Sequence, residues 1–143
     1  MYKQILIAVD GSETSRFALG EALKLAREQG AKVLLLHVYE PIVTSSTHGL
    51  VDLTQAIRNE GEKIAADAVE EAQKAGVEAR SRVLDAAGRR VASVIVEEAS
   101  AASADLIVVG THGRRGLEHL VLGSVAEGVA RRATVPVLLI RKQ

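Results

Sequence analysis

Gly110-Thr111-His112-Gly113, nine further residues and then Gly123-Ser124 form a pattern suited to holding an anion. Glycines let backbone N–H groups turn toward a ligand with no Cβ in the way. The pattern directly follows the apolar run Leu106-Ile107-Val108-Val109 and directly precedes a helical pattern near Val125. The first N–H groups of a helix lack intrahelical acceptors and carry partial positive charge. A strand that empties through a glycine-rich loop into a helix is therefore a phosphate cradle, and the ligand it points to is a nucleotide. Four glycines (Gly110, Gly113, Gly116 and Gly123) at one junction argue against simple loop hinges. Ser124 also reads as a helix N-cap, a role compatible with phosphate binding because both satisfy the same N–H groups. The pattern is neither a Walker A sequence, since no Gly-Lys-Ser/Thr closes it, nor a Rossmann Gly-x-Gly-x-x-Gly.

Asp10-Gly11-Ser12 is the second chemistry-bearing group, at the end of the apolar run Ile5-Leu6-Ile7-Ala8-Val9. Ligands of open α/β sheets bind beyond the strand C-termini, where strand order reverses. With the first and fourth strands as central neighbours, Asp10 faces the Gly110 loop across that crevice. Its carboxylate can accept a ribose hydroxyl or help hold a divalent ion on phosphates. It can equally serve a turn or cap with Ser12, Thr14 or nearby amides.

The remaining polar residues say less. His37, His48, His112 and His119 have no metal-ligand spacing. His37 lies inside an apolar run and reads as a satisfied core residue, whereas His112 lies within the glycine pattern. Arg114 and Arg115 are within reach of phosphate charge, although tandem loop arginines are usually solvated. Arg89-Arg90 and the charges Glu60, Glu62, Lys63, Glu70 and Glu71 read as solvated helix faces. No side chain is identified as catalytic.

The elements that must position these groups alternate along the chain. Ile5–Val9, Val33–Val38, Leu106–Val109 and Val135–Ile140 are short runs apolar on both faces, the mark of parallel strands covered by helices on both sides. Val77–Leu84 alternates, with Glu78, Arg80 and Arg82 on one face, and reads as an edge strand. Helical periodicity covers about Thr14–Gln29, stopping at Gly30, and about Leu53–Lys74, stopping at Gly76. Ala18, Ala22 and Leu25 line the first; Leu53, Ile57, Ile64 and Ala68 line the second. A third helix covers about Arg90–Ala101 through Val91, Val94 and Ile95, and a fourth starts near Ser124 with Val125, Val129 and Ala133 aligned. This alternation predicts right-handed crossovers and an open, doubly wound, Rossmann-like parallel sheet. Glu40 to Gly49 is the one long irregular segment, polar through Ser45, Ser46 and Thr47.

Composition bounds the rest. A chain of 143 residues with 48% hydrophobic and 25% charged residues suits one globular domain over 1–143. Such a chain buries roughly 70% of its extended-chain surface. Lys+Arg and Asp+Glu balance at 18 each and aromatics are 2%, which disfavours nucleic acid and acidic membrane as partners. The absence of cysteine excludes disulfides, thiolate catalysis and cysteine-ligated zinc. No signal peptide and no membrane-length apolar stretch is visible, so a cytoplasmic location is expected.

Taken together, Gly110-x-x-Gly113-x9-Gly123-Ser124, Ile5-Leu6-Ile7-Ala8-Val9-Asp10-Gly11-Ser12, Ala104-Asp105-Leu106-Ile107-Val108-Val109-Gly110 and Val135-Pro136-Val137-Leu138-Leu139-Ile140-Arg141 resemble the universal stress proteins over essentially the whole chain. The resemblance implies a five-stranded parallel sheet in order 3-2-1-4-5, a homodimer, and membership of the subgroup that binds ATP through the glycine motif. By position it implies that Asp10 approaches ribose and phosphate, and that Val38 meets adenine through its backbone. Gly110 and Gly113 would leave room for ribose and phosphates, while Gly123, Ser124 and Val125 bind phosphates at the helix start. Independently, Val137–Ile140 would form an apolar edge strand, which pairing with a symmetry mate would cover.

Three functions follow. One is an ATP-binding (or AMP- or ADP-binding) stress-response regulator with little or no turnover, since no base or arginine finger has a defined place. The second is a slow Mg-dependent ATPase or phosphotransferase in which Asp10 holds the metal and His112 or Arg114 assists. The third is a dimeric interaction module with an empty crevice.

Overall fold

The computed structural model describes residues 1–112 and 122–142. Its elements run β1 (Gln4–Ala8), α1 (Glu13–Gln29), β2 (Lys32–Tyr39), β3 (Val43–Ser46), β4 (Gly49–Asp52), α2 (Thr54–Lys74), β5 (Ala79–Asp85), α3 (Val91–Ala101), β6 (Leu106–Gly110), α4 (Ser124–Arg132) and β7 (Val137–Ile140). The main sheet has the order β5-β2-β1-β6-β7, and all its pairings are parallel. Counting only its own strands along the chain, this is the expected 3-2-1-4-5.

The doubly apolar strands resolve into two cores. Side chains alternate across a strand, so Ile5, Ile7, Val33, Leu35 and Val108 join Leu19, Leu23, Ala68 and Ala72 on the face covered by α1 and α2. Leu6, Leu34, Leu36, Ile107 and Val109 join Ala92, Ile95, Ala126 and Val129 under α3 and α4. Leu34 and Leu35 are both 0% exposed although they point in opposite directions. Burying each stabilises the fold by about 1.5–3 kcal/mol relative to leaving it in water.

Helices change face between β1 and β6. α1 leaves β1 on one side of the sheet and α4 follows β6 on the other, which opens a crevice above the neighbouring ends of these two strands. Strand heights fit this arrangement: β1 pairs with β2 only up to Ala8↔Leu36, while β2 continues to Tyr39 against Asp85 of β5.

Three features depart from the sequence expectation. The Glu40–Gly49 stretch is not wholly irregular, because Val43–Ser46 and Gly49–Asp52 pair as an antiparallel hairpin. Its turn is set by the Ser46 hydroxyl, which bonds the Gly49 carbonyl at 3.1 Å, and by Gly49 at φ +110°. The buried stripe of α2 consists of Gly61, Ala65, Ala68 and Ala72, whereas Leu53 is exposed and Ile57 and Ile64 are half-buried. Small residues bring this helix close to the sheet, so the larger apolar groups flank the contact. Finally, β7 starts at Val137, two residues later than the apolar run, after Pro136, whose carbonyl accepts from Ile107 N–H.

Helices α3 and α4 meet as closely. A Cβ at Gly128 would stand 2.5 Å from the Ala92 Cβ, which no side-chain rotation can move. Gly128→Ala should gain about 1 kcal/mol of helix propensity yet lose about 1–3 kcal/mol to overpacking. A lowered urea midpoint is expected; a raised one would show that the helices can separate freely.

Candidate functional site

The loop after β1 is held by its own polar groups. Val9 N–H donates to Leu36 O at 2.9 Å, one step past the end of β1. Gly11 then adopts φ +81°, in the region side chains rarely enter, and a Cβ there would stand 3.0 Å from Ile64 Cδ1 of α2. Asp10 Oδ1 accepts the Ser12 N–H at 2.8 Å, and Asp10 N–H donates to Ser15 Oγ at 3.0 Å. Ser12 is the N-cap of α1, its Oγ accepting from Ser15 N–H at 3.1 Å. Both local roles weighed for Asp10 and Ser12 are therefore present, and Asp10 Oδ2 takes no hydrogen bond among the described residues.

The loop after β6 is closed on itself and packed against α1. A Cβ at Gly110 would meet Thr14 Cγ2 at 2.9 Å, so the absence of a side chain there lets the end of β6 approach the start of α1. Thr111 N–H donates to Ile140 O at 2.9 Å, which ties the loop to β7. Gly123 N–H donates to Thr111 O at 2.7 Å, which brings the start of α4 back to the end of β6. The two ends of the glycine pattern are thus in direct contact. Gly123, not Ser124, is the N-cap, and Ser124 and Val125 are the first helical residues. Ser124 as N-cap is therefore corrected: the cap residue has no side chain, and no side-chain hydrogen bond caps the helix. Among the described residues no side chain caps the opening N–H groups of α4. His112 is half-buried, with Nδ1 3.1 Å from Thr111 Oγ1. Gly113, Arg114, Arg115, Gly116 and His119 lie outside the described residues.

Val38 lies on the third side. In β2, Lys32 N–H bonds toward β1 and Val33 N–H toward β5. Parallel strands alternate these directions, so the N–H and C=O of Val38 both face the β1 side, above the point where β1 has stopped. Asp10, Val38, Gly110, Gly123, Ser124 and Val125 consequently border one region beyond the strand ends. Sequence reasoning named Thr14 only as a partner of Asp10 and Thr111 only as part of the motif; their contacts with Gly110 and with Ile140 and Gly123 have no signal in type or spacing.

Two carboxylates near the elements' starts are shifted. The Lys142 ammonium hydrogen-bonds Glu13 at 2.6 Å and its charge adds to the effect, holding this carboxyl below its ordinary value. The side-chain and backbone groups of Thr54 do the same for Asp52, with Thr54 N–H 2.8 Å from Oδ1. Because both folded values are depressed, each contribution is present above the ordinary carboxylate range and fades as pH falls through the lowered one. Among the described residues no group of three or more His, Cys, Asp or Glu side chains is placed to hold a metal ion by itself. No helix among them is long and apolar enough to cross a membrane.

Comparisons with known proteins converge. A family model described as the universal stress protein family matches residues 1–141. Universal stress protein YxiE of Bacillus subtilis is 36% identical, the match covering 99% of this chain and all of the relative. A crystal structure of a universal stress protein family member from Burkholderia pseudomallei superimposes with TM-score 0.80 at 34% identity, covering 97% of this chain and 96% of that one. The universal stress protein of Archaeoglobus fulgidus, solved in complex with dAMP, superimposes with TM-score 0.71 at 27% identity, covering 97% and 98% of the two chains.

The Thr111–Gly123 junction can be broken selectively. A Cβ at Gly123 would stand 2.9 Å from Thr111 O and 3.4 Å from His112 Cα, both backbone atoms. Gly123→Ala should destabilise the fold by about 1–3 kcal/mol, read from chemical denaturation. An unchanged midpoint would show that this contact does not set the loop.

Proposed function

The chain belongs to the universal stress protein family, and we propose that it is an adenine-nucleotide binder whose ligand is ATP and whose turnover is slight or absent. The observation that carries this reading is the junction of the two glycine-containing loops. Gly123 N–H on Thr111 O sets the uncapped start of α4 beside the end of β6, while Gly110 against Thr14 sets it beside the Asp10 turn. A phosphate chain laid there would meet backbone N–H groups of Ser124 and Val125, at the positive end of the helix. Gly110 and Gly113 would leave space for ribose and phosphates, and Val38 would present a backbone donor and acceptor to adenine. The dAMP complex of the A. fulgidus protein supports an adenine ligand.

The donor set fits Mg²⁺ only as a companion of phosphate. Asp10 Oδ2 is the carboxylate oxygen with no hydrogen bond among the described residues, so it is the atom we assign to a phosphate-bound Mg²⁺ or a ribose hydroxyl. Slight turnover follows from the same inventory. Asp10 Oδ1 is engaged by Ser12 N–H and Oδ2 is the atom assigned to the metal or ribose, while His112 Nδ1 lies 3.1 Å from Thr111 Oγ1, so we assign neither side chain as a dedicated base for water. We read residues 1–143 as one cytoplasmic domain. We also infer a homodimer through β7, an edge strand with Leu138 and Leu139 each 36% exposed. Antiparallel pairing with the β7 of a second copy would cover that edge.

Calorimetric titration of purified protein with Mg-ATP should show binding, and Asp10→Ala should weaken it about tenfold, the loss of one charge-assisted contact. No uptake at millimolar nucleotide, and none released on heating, would leave the interaction-module reading. Steady ADP release that vanishes in Asp10→Ala would instead establish an ATPase. Sedimentation should find a dimer that Leu139→Lys converts to monomer; a wild-type monomer at micromolar concentration would remove the β7 interface.

A further inference from the structure

His37 interrupts the aliphatic run Val33–Val38 of β2 and is 5% exposed. A buried imidazole needs a partner, and its Nδ1 lies 2.8 Å from the Val9 carbonyl oxygen. A carbonyl only accepts, so Nδ1 carries the hydrogen and donates it. The far side of the ring faces α2, where a Cβ on Gly61 would stand 2.6 Å from Cδ2 and 3.1 Å from Nε2. The imidazole therefore reaches Val9 only because position 61 has no side chain.

The occupied carbonyl matters because of where it lies in the ladder. Val9 N–H donates to Leu36 O. If β1 and β2 went on pairing, the next bond of the parallel pattern would run from Val38 N–H to Val9 O. That bond does not form among the described residues, and the Val9 carbonyl accepts from His37 Nδ1 instead.

We propose that His37 is a positioning residue for base recognition: by holding the Val9 carbonyl turned toward its own ring it keeps that oxygen from the Val38 N–H, which stays available to the ligand, and Gly61 provides the space that permits this. The inference rests on the adenine-nucleotide reading above. The edge of adenine carrying N1 and N6 offers an acceptor beside a donor, which complements the Val38 N–H and C=O. Hypoxanthine reverses that edge, with a donor at N1 and an acceptor at O6. A free Val38 N–H should therefore favour ATP over ITP, and an N–H recaptured by Val9 should not.

The test compares wild type, His37→Leu, His37→Asn and Gly61→Ala by titration with Mg-ATP and Mg-ITP. Amide exchange at Val38 is followed by NMR without nucleotide. Wild type should prefer ATP by about tenfold, the scale of one hydrogen bond made or left unmade. His37→Leu should bring the ATP/ITP ratio close to one and slow Val38 exchange. His37→Asn, whose amide nitrogen can stand in for Nδ1, should restore the preference, a rescue that a purely packing role would not produce. Gly61→Ala, which keeps the imidazole but pushes it aside, should lower the ratio. A folded His37→Leu with an unchanged ratio, or equal loss of both nucleotides in every variant, would overturn the proposal. Should His37→Leu not fold, an unchanged ratio in Gly61→Ala does so. If wild type binds neither nucleotide, the nucleotide reading fails. Val38 exchange then decides separately, and no slowing in His37→Leu or Gly61→Ala overturns the positioning role.

Discussion

A parallel sheet cannot complete its hydrogen bonds where its strands stop at different heights. Each strand carries donors and acceptors on both edges, and a neighbour that ends early leaves one edge open. Here β1 ends at Ala8 while β2 runs on to Tyr39, so the backbone of Val38 looks into the space above β1. On the other side β6 ends at Gly110, and the N–H groups that open α4 have no side-chain cap among the described residues. The crevice is thus a concentration of backbone polarity that the described residues do not satisfy among themselves. The turns at Asp10, Gly11 and Thr111 hold its borders, and the aliphatic core below supplies the rigidity.

Close approach is the second constraint. Gly110 against Thr14, Gly61 against His37, Gly123 against Thr111 and Gly128 against Ala92 are all contacts at which a Cβ would fall within 3.0 Å of a neighbour. The first three surround the crevice and the fourth fixes the α3–α4 contact beneath it. Their common effect is to bring whole elements together, so the site depends less on particular functional side chains than on places where none intrudes. This suits a site whose proposed donors and acceptors are mainly backbone groups.

Much of this was readable from the chain. Runs such as Ile5–Val9 and Val33–Val38, apolar on both faces apart from His37, can be buried only between two layers of helix, and that dictates the sheet class. Glycines at a strand–helix junction marked the place where Gly110 packs on Thr14 and Gly123 closes on Thr111. The hairpin at Val43–Asp52 was hidden because its turn depends on the Ser46 hydroxyl and Gly49 backbone, while its serines look like those of any loop. The α2 stripe was misread because large apolar residues dominate periodicity, whereas Gly61, Ala65, Ala68 and Ala72 make the contact. His37 reads correctly as a satisfied core residue. Its partner, however, depends on how far β1 extends beside β2, and that relation between distant segments leaves no trace in local spacing.

The division of the interior into two cores has a consequence for how such a chain can change. Leu6 and Ile7 are neighbours in sequence, yet one answers to α3 and α4 and the other to α1 and α2, with the sheet backbone between them. Substitutions in well-separated, unshared environments combine nearly additively. One face can therefore be repacked through successive replacements while the other stays intact. The strand ends remain at the same heights throughout, because backbone pairing, common to both faces, sets them. Sequence drift in the interior is in this sense modular, and the crevice is insulated from most of it.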